Sequence, residues 1–364
     1  MKQIILSVLA LSIIACLSSC KNSNKTDVQA NISVKSTFTN PLLPSGPDPW
    51  AIYHEGNYYY IKSGHGGITL MRTPDITDLK NAEKKVIWKA PSIGDHSRNI
   101  WAPEIHNIDG KWYVYVAADD GNNVNHRMFV LENTTKDPFE GEFVMKSRLK
   151  TDPEDNWAID GSIFEHNNNL YFIWSGWEHP KDNTGETQNI YIAHMSNPWT
   201  IDSDRVLLST PELEWERNYD YPDAWTPDAP IYVNEGPQML QHGDKLHIIY
   251  SASGCWTPYY ALGMLTTTVD SDIMDKASWI KYERPVFQQS TENGVYGTGH
   301  NSFFKSPDGT EDWILYHAND DPADGCGDKR SPRAQKITWT ADDMPIMGVP
   351  FSTSVELEKP SGIK

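Results

Sequence analysis

Five ionisable side chains recur at similar places along this chain of 364 residues, each at the start of a short apolar run. They are Asp48, Glu104, Asp160, Glu235 and His300, in the runs DPWAIYH, PEIHNI, DGSIFEH, EGPQMLQ and HNSFFK. Carboxylates held together raise one another's pKa, and a carboxylic acid that keeps its proton near neutral pH suits a general acid. Cleaving a glycosidic bond needs one carboxyl group to protonate the leaving oxygen and another to activate water or attack the sugar. The set therefore predicts glycoside hydrolysis, provided that the fold brings these side chains together.

The repeat extends beyond these residues and predicts the fold. Each apolar run is followed by a turn and an aromatic strand that ends in a small residue, which gives the column Gly64, Ala118, Gly176, Ala252 and Ala318. The unit is about 55 to 75 residues long, and no long stretch keeps a helical period. Five such units predict an all-β, five-bladed β-propeller that forms a single catalytic domain of residues 41–364. The inner strands of such a fold line its axis, so equivalent strand ends converge at one mouth.

Two other all-β folds fit the pattern less well. A solenoid repeat is usually shorter than this unit. A β-sandwich gives no reason to repeat a charged residue at one place in each unit. The segment after Ile337 offers further strands that would complete or close the last blade.

Composition limits the partners of the protein. The formal net charge of -18 argues against nucleic acid and against electrostatic attachment to anionic lipid. The 14 Trp and 17 Tyr residues suit a sheet-rich core, a carbohydrate-facing surface, or both. We expect a monomer with a polysaccharide or oligosaccharide partner.

The N-terminus has the pattern of a targeting segment. Lys2 precedes an apolar stretch that ends in Leu-Ser-Ser-Cys at Cys20, which predicts a signal peptide of residues 1–19. This end resembles the lipobox of bacterial lipoproteins, in which Cys20 carries the lipid; ordinary secretion with Cys20 as a bystander is the alternative. Residues 20–40 are polar and are predicted to form a flexible tether. The protein is thus expected to be exported and lipid-anchored to a bacterial membrane, in the periplasm or at the cell surface.

Export also permits a disulfide between the two cysteines of the predicted domain. Cys255 and Cys326 both follow the small-residue column, in consecutive repeats, so their loops are candidates to meet on one face. Two unpaired cysteines are the alternative.

Three motifs resemble those of glycoside hydrolase family 43, which comprises inverting five-bladed propellers that cleave arabinose- and xylose-containing plant polysaccharides. GPDP around Asp48 resembles the motif of the catalytic base, AIDGS around Asp160 the motif of the pKa modulator, and NEGP around Glu235 the motif of the general acid. Each motif alone also suits a turn or a solvated position. Their order and blade-sized spacing favour the catalytic roles. The resemblance extends from about residue 41 to the C-terminus.

The resemblance also implies supporting roles. His300 matches a histidine beneath the pocket and is a candidate for substrate binding and, near a structural calcium ion or a water in the channel, for an indirect metal site. A purely structural, hydrogen-bonded role is the alternative for His300, and no other cofactor is required. Arg333, in RAQKITW, resembles an arginine that contacts the sugar, and surface ion pairing is the alternative.

Two further candidates depend on position along the chain. Glu104 has weaker motif support and is predicted to bind substrate or to anchor an Arg or Lys. Trp101, three residues earlier, is the preferred aromatic platform for a sugar, ahead of Trp50 and Trp177. A place in the core is the alternative for each tryptophan.

The finer resemblance is to exo-acting α-L-arabinofuranosidases, through the segments YSASGCWTPYYALGML and KRSPRAQKITW. It implies release of terminal α-L-arabinofuranosyl residues from arabinan or arabinoxylan. A β-xylosidase or an endo-arabinanase on the same fold is the alternative. A retaining fructosidase-type enzyme would need an Arg-Asp-Pro motif, which the sequence lacks. A non-catalytic glycan-binding surface lipoprotein would not need Asp48, Asp160 and Glu235 together.

Overall fold

Five antiparallel sheets form the blades of a β-propeller, which confirms the predicted fold class. The computed structural model describes residues 36–64, 66–179, 186–219 and 230–363. The predicted signal peptide, Cys20 and most of the predicted tether lie outside the described residues. No helix within the described ranges is both long and apolar enough to span a membrane.

The strands follow one another blade by blade along the chain. After β1 (Thr37–Phe38), blade 1 contains β2 (Trp50–His54), β3 (Asn57–Gly64), β4 (Gly67–Thr73) and β5 (Glu83–Lys89). Blade 2 contains β6 (Arg98–Ile108), β7 (Lys111–Asp119), β8 (Arg127–Asn133) and β9 (Val144–Leu149). Blade 3 contains β10 (Ala158–His166), β11 (Asn169–Gly176), β12 (Asn189–Asn197), β13 (Thr200–Ile201) and β14 (Val206–Ser209). Blade 4 contains β15 (Asn234–His242), β16 (Lys245–Ala252), β17 (Ala261–Thr268) and β18 (Ile280–Lys281). Blade 5 contains β19 (Tyr296–Lys305), β20 (Asp312–Asn319), β21 (Ser331–Trp339) and β22 (Pro345–Ile346), and β23 (Leu357–Glu358) follows. The described 3₁₀ helices are Ile76–Asn81, Asn123–Asn125, Glu214–Arg217 and Lys276–Ser278.

The apolar side chains of these strands pack between neighbouring blades. Each of five buried clusters combines residues of two adjacent blades. One of them joins Phe304 and Trp313 of blade 5 to Tyr58 and Tyr60 of blade 1. The ring is therefore closed by the same side-chain packing that holds consecutive blades together.

The two ends of the domain are also joined by backbone hydrogen bonds. Strand β1 pairs with β23, and Phe38 is buried against Trp313. Oδ1 of Asn40 accepts a hydrogen bond from the backbone of Ala334, and its Nδ2 donates to the carbonyl oxygen of that residue. The predicted tether was therefore too long, because its last residues belong to the fold. A two-residue strand is too short to show a period in the sequence.

A left-handed residue occupies the same place near the start of every inner strand. In blades 2 to 5 it lies in a β-bulge, two residues before pairing resumes at Glu104, Ser162, Gln238 and Ser302. In blade 1 it lies two residues before the paired Trp50. The five equivalent residues are Asp48, Ala102, Asp160, Gly236 and His300, with φ values of 53°, 41°, 53°, 55° and 48°.

This register corrects the predicted column of ionisable residues. Asp48, Asp160 and His300 are equivalent, as expected. The equivalent of these residues in blade 2 is Ala102, so Glu104 lies two positions too far along its strand. In blade 4 it is Gly236, so Glu235 precedes the shared position by one residue.

Candidate active site

A cavity of about 530 Å³ brings together most of the predicted site residues. Its lining includes Asp48, Trp101, Asp160, Glu235 and His300. These side chains meet at one mouth of the ring because they lie near the same end of each inner strand, where blades 2 to 5 have a β-bulge. A left-handed conformation is costly for residues other than glycine, and such strain is concentrated at functional sites.

Asp48 is held in its ionised form by its neighbours. Nη1 of Arg330 lies 2.8 Å from Oδ1 of Asp48, and Nδ1 of His300 lies 3.3 Å from the same oxygen. Burial by itself would raise the pKa of Asp48, but the charge of Arg330 and the nearby imidazoles outweigh it and hold that pKa well below its usual range. The side chain is therefore a carboxylate at neutral pH.

Glu235 is in the opposite state. Burial and the negative charge of Asp48 raise the pKa of Glu235 to about 7, although the hydroxyl of Tyr260 donates a hydrogen bond to its Oε1 at 2.7 Å and opposes the rise. A carboxylic acid with this pKa retains its proton near neutral pH. Glu235 therefore has the property required of a general acid.

Asp160 connects the acid to the neighbouring blade. Its Oδ2 accepts a hydrogen bond at 3.2 Å from the backbone N–H of Gly236, the residue that follows Glu235. Burial, followed by the charges of Glu235 and Asp48, raises the pKa of Asp160 well above its usual range. Asp160 thus fixes the backbone next to Glu235 and shares its electrostatic environment.

A second histidine, which the sequence analysis did not identify, supports Asp48 from strand β20. Burial lowers the pKa of His317 to about 4, so its ring is neutral at neutral pH. Its Nδ1 accepts a hydrogen bond at 3.2 Å from the backbone N–H of Asp48, and its ring stacks on that of Tyr260 at 5.6 Å. His317 and Tyr260 therefore connect the surroundings of the two opposed carboxyl groups.

Trp101 forms an aromatic edge of the cavity. The residue is 37 % exposed, and its indole stacks on the ring of His126, with centroids 3.9 Å apart. His126 is itself held by the carbonyl oxygen of Asn99 at 3.1 Å. Trp177 also lines the cavity but is almost fully buried, while the indole of Trp50 is buried and donates to the carbonyl oxygen of Ile105. Trp101 is thus the most accessible of the three predicted platforms.

The structure does not support substrate contact by Glu104. Its carboxylate is buried, accepts a hydrogen bond from Nε2 of Gln238 and lies 3.1 Å from Nε2 of His106. Gln238 in turn accepts from the hydroxyl of Ser162 at 3.1 Å. Glu104 therefore belongs to a polar layer that joins blades 2, 3 and 4, and it forms no ion pair with an Arg or Lys of the described ranges.

The predicted sugar contact of Arg333 is also wrong. The Arg333 side chain is fully buried, and its Nη2 lies 2.6 Å from Oδ1 of Asp320. Arg330, three residues earlier and directly before strand β21, lines the cavity instead. Arg330 lies next to the end of a strand, as the catalytic candidates do, and this position is the feature of the sequence that could have identified it.

A disulfide joins Cys255 and Cys326, with their Cα atoms 5.1 Å apart. Both residues line the cavity, on loops of blades 4 and 5, and Trp256 lies beside them. The bridge forms part of the cavity wall, and its second cysteine lies four residues before Arg330.

The residues near His300 do not form a protein cage for calcium, which takes six to eight oxygen ligands. Within the described ranges, no group of three or more His, Cys, Asp or Glu side chains is arranged to hold a metal ion. The calcium ion stays a prediction, and no step below depends on it.

Comparison with known proteins agrees with this geometry. Residues 38–345 match the family Glycosyl hydrolases family 43. An extracellular exo-alpha-(1->5)-L-arabinofuranosidase of Streptomyces avermitilis is 36 % identical over 94 % of this chain and 70 % of its own length. Alpha-L-arabinofuranosidase 43 of Humicola insolens is 32 % identical over 94 % of this chain and 68 % of its own. The crystal structure of alpha-L-arabinofuranosidase from Lactobacillus brevis superimposes with a TM-score of 0.77 at 34 % identity, covering 87 % of this chain and 98 % of that one.

Proposed function

The chain belongs to glycosyl hydrolases family 43, and we propose that it releases terminal α-L-arabinofuranosyl residues from plant polysaccharides with inversion. The observation that carries the proposal is the pair of opposed carboxyl groups in one cavity. The neighbours of Asp48 hold its pKa well below the usual range of an aspartate, while the pKa of Glu235 is raised to about 7. Such a pair supplies a base and an acid at the same pH.

The reaction proceeds by a single displacement. Asp48 accepts a proton from a water molecule, whose oxygen attacks the anomeric carbon of the terminal sugar. Glu235 donates its proton to the departing glycosidic oxygen, so the bond to the leaving group breaks without formation of an alkoxide. The water proton ends on Asp48 and the acid proton on the new hydroxyl, and the two groups re-equilibrate with solvent.

Three other groups hold this arrangement in place. Arg330 keeps Asp48 ionised until water is bound. Asp160 fixes the backbone beside Glu235, and the charge of Glu235 in turn contributes to the raised pKa of Asp160. Trp101 offers its exposed indole as a surface for the sugar.

The preference for arabinose is inferred from the relatives, whose printed names specify arabinofuranosidases. The exo mode is supported by the cavity wall, because the bridge between Cys255 and Cys326 ties two loops across one side of the cavity. A cavity wall fixed by a disulfide favours a closed pocket, which accepts a chain end, over an open groove.

Export and lipid anchoring at Cys20 are part of the proposal. They are supported by the apolar N-terminus that ends in Leu-Ser-Ser-Cys and by a relative named as extracellular. Mass spectrometry of the N-terminal peptide should find a lipid on Cys20, and Cys20→Ser should release the protein from membranes. An unmodified Cys20 in a membrane-free protein would overturn the anchor and leave the catalytic proposal intact.

Hydrolysis of arabinofuranosides by matched variants tests the catalytic proposal. Asp48→Asn should lose about 10²- to 10⁴-fold in kcat/KM on every substrate. Glu235→Gln should lose as much on alkyl leaving groups but far less on activated aryl groups, which need little protonation. Glu292→Gln is the control, because it makes the same carboxylate-to-amide change at an exposed residue outside the cavity.

Two readouts decide the outcome. The first sugar seen by NMR should have the inverted anomeric configuration, and a retained one would overturn the single displacement. In a panel of arabinosides and xylosides, the arabinosides should be cleaved faster. Faster cleavage of xylosides would overturn the proposed substrate but leave the proposed mechanism intact.

A further inference from the structure

A second cavity adjoins the catalytic one across the indole of Trp101. It has a volume of about 650 Å³ and lies between the ends of blades 1 and 2. Its lining includes Ser63, Lys89, Ser97, Arg98 and Asn99, and Trp101 lines both cavities. We call it the side cavity. Trp101 is therefore the residue shared by the walls of the two cavities.

The side cavity is basic in a protein of formal net charge -18. Lys89 and Arg98 are both exposed there, and no Asp or Glu of the described residues forms an ion pair with either. Arg98 donates a hydrogen bond to the carbonyl oxygen of Ser97 at 2.8 Å, which leaves most of its guanidinium donors for a ligand.

The nearby carboxylates are already engaged by other groups. Asp95 lies 2.7 Å from Nδ1 of His96 and 3.2 Å from Nη1 of Arg148. Asp119, which pairs with Arg98 across the strands, is fully buried and accepts hydrogen bonds from Nδ2 of Asn99. Neither Asp95 nor Asp119 forms an ion pair with Lys89 or Arg98 among the described residues, so both cations of the side cavity remain available to a ligand.

We infer that the side cavity binds the leaving-group portion of the substrate and prefers a sugar that carries a carboxylate there. Arginine binds carboxylates through two parallel hydrogen bonds, and lysine adds a point charge. The serine and asparagine side chains suit sugar hydroxyl groups. This inference rests on the proposed function and adds an acidic sugar, such as a uronic acid, to its substrate class.

The test compares two substrates that differ only in charge. One is arabinofuranosyl-galactobiose, and the other has galacturonic acid in place of the distal galactose. The wild type should cleave the acidic substrate with a kcat/KM about fivefold higher at low salt. The ratio should approach one at about 0.5 M NaCl, because salt screens exposed charges.

Variants connect this preference to the two cations. In Lys89→Gln/Arg98→Gln the acidic-to-neutral ratio of kcat/KM should fall to about one. Lys84→Gln and Arg284→Gln, exposed cations away from the side cavity, should leave the ratio unchanged. A wild-type ratio of one, or a ratio that the double variant does not alter, would overturn the inference. Cleavage of neither substrate by an enzyme that still hydrolyses aryl arabinofuranosides would also overturn the inference, whereas failure to hydrolyse aryl arabinofuranosides would overturn the proposed function, so the two failures are distinguishable.

Discussion

Arg330 lies 2.8 Å from Asp48, on a loop that the disulfide at Cys326 ties to the neighbouring blade. The two residues are 282 positions apart in sequence and come from blades 5 and 1. The closure of the ring therefore creates the electrostatic environment of the proposed base.

Removing the charge of Arg330 should shift the acidic limb of the pH profile. The pKa of Asp48 lies below its usual range in the native protein, so protonation of Asp48 should inactivate the enzyme only at low pH. Arg330→Met removes the largest stabilising charge and should raise that pKa, which moves the acidic limb of kcat/KM to higher pH by about one unit or more. Arg330→Lys should restore part of the shift. An acidic limb at the same pH in all three proteins would show that Arg330 does not tune the base.

Replacing Tyr260 should move the alkaline limb, which reports deprotonation of Glu235 near its pKa of about 7. The Tyr260 hydroxyl donates to Oε1 of Glu235 and favours the ionised form. Tyr260→Phe removes that donor, so the pKa of Glu235 should rise and the alkaline limb should move upward by about one pH unit. Tyr259→Phe, at the exposed neighbouring tyrosine, is the control. A downward shift would contradict the assignment of Glu235 as the acid.

The sequence correctly predicted the number of blades and three of the five residues that occupy the left-handed position of the inner strands. Repetition made this possible, because every blade repeats an apolar strand, a turn and an aromatic strand. The alignment failed in blades 2 and 4, where Glu104 and Glu235 lie near the left-handed residue without occupying it. Because Ala102 and Gly236 carry no ionisable group, an alignment based on ionisable residues selected the nearby Glu104 and Glu235 in their place.

The missed site residues have a different cause. His317 lies in the second strand of blade 5 and Tyr260 directly before the third strand of blade 4, and in both places the sequence is indistinguishable from that of a buried core. Arg330 and Arg333 are three residues apart, and a strand turns such residues to opposite faces. Only the position at which strand β21 begins shows which arginine lies at the cavity.

Breaking the disulfide should cost both stability and activity. The bridge links residues separated by 71 positions, and the chain-entropy model assigns such a loop about 4 kcal/mol of the free energy of unfolding. Cys255→Ser/Cys326→Ser should therefore unfold at lower urea concentration. Its acidic limb should shift in the same direction as that of Arg330→Met, because the loop that carries Arg330 is released. Reductant should reproduce both effects in the wild type and none in the variant; a variant as stable as the wild type would contradict a structural role for the bridge.

The bulge at Gly236 gives the most local test of how the fold holds the acid. Gly236 has a φ of 55°, and a Cβ placed there would lie 3.4 Å from ring atoms of His300. Gly236→Ala should lower the free energy of unfolding by about 1 kcal/mol, because an alanine is strained at positive φ. It should also lower kcat/KM, since the N–H that donates to Asp160 follows Glu235 directly. Ala102 occupies the equivalent position in blade 2, so Ala102→Gly is the reciprocal control and should leave stability equal or slightly higher. Urea unfolding of both variants measures the difference, and equal stability of Gly236→Ala and the wild type would show that the shared position is not strained.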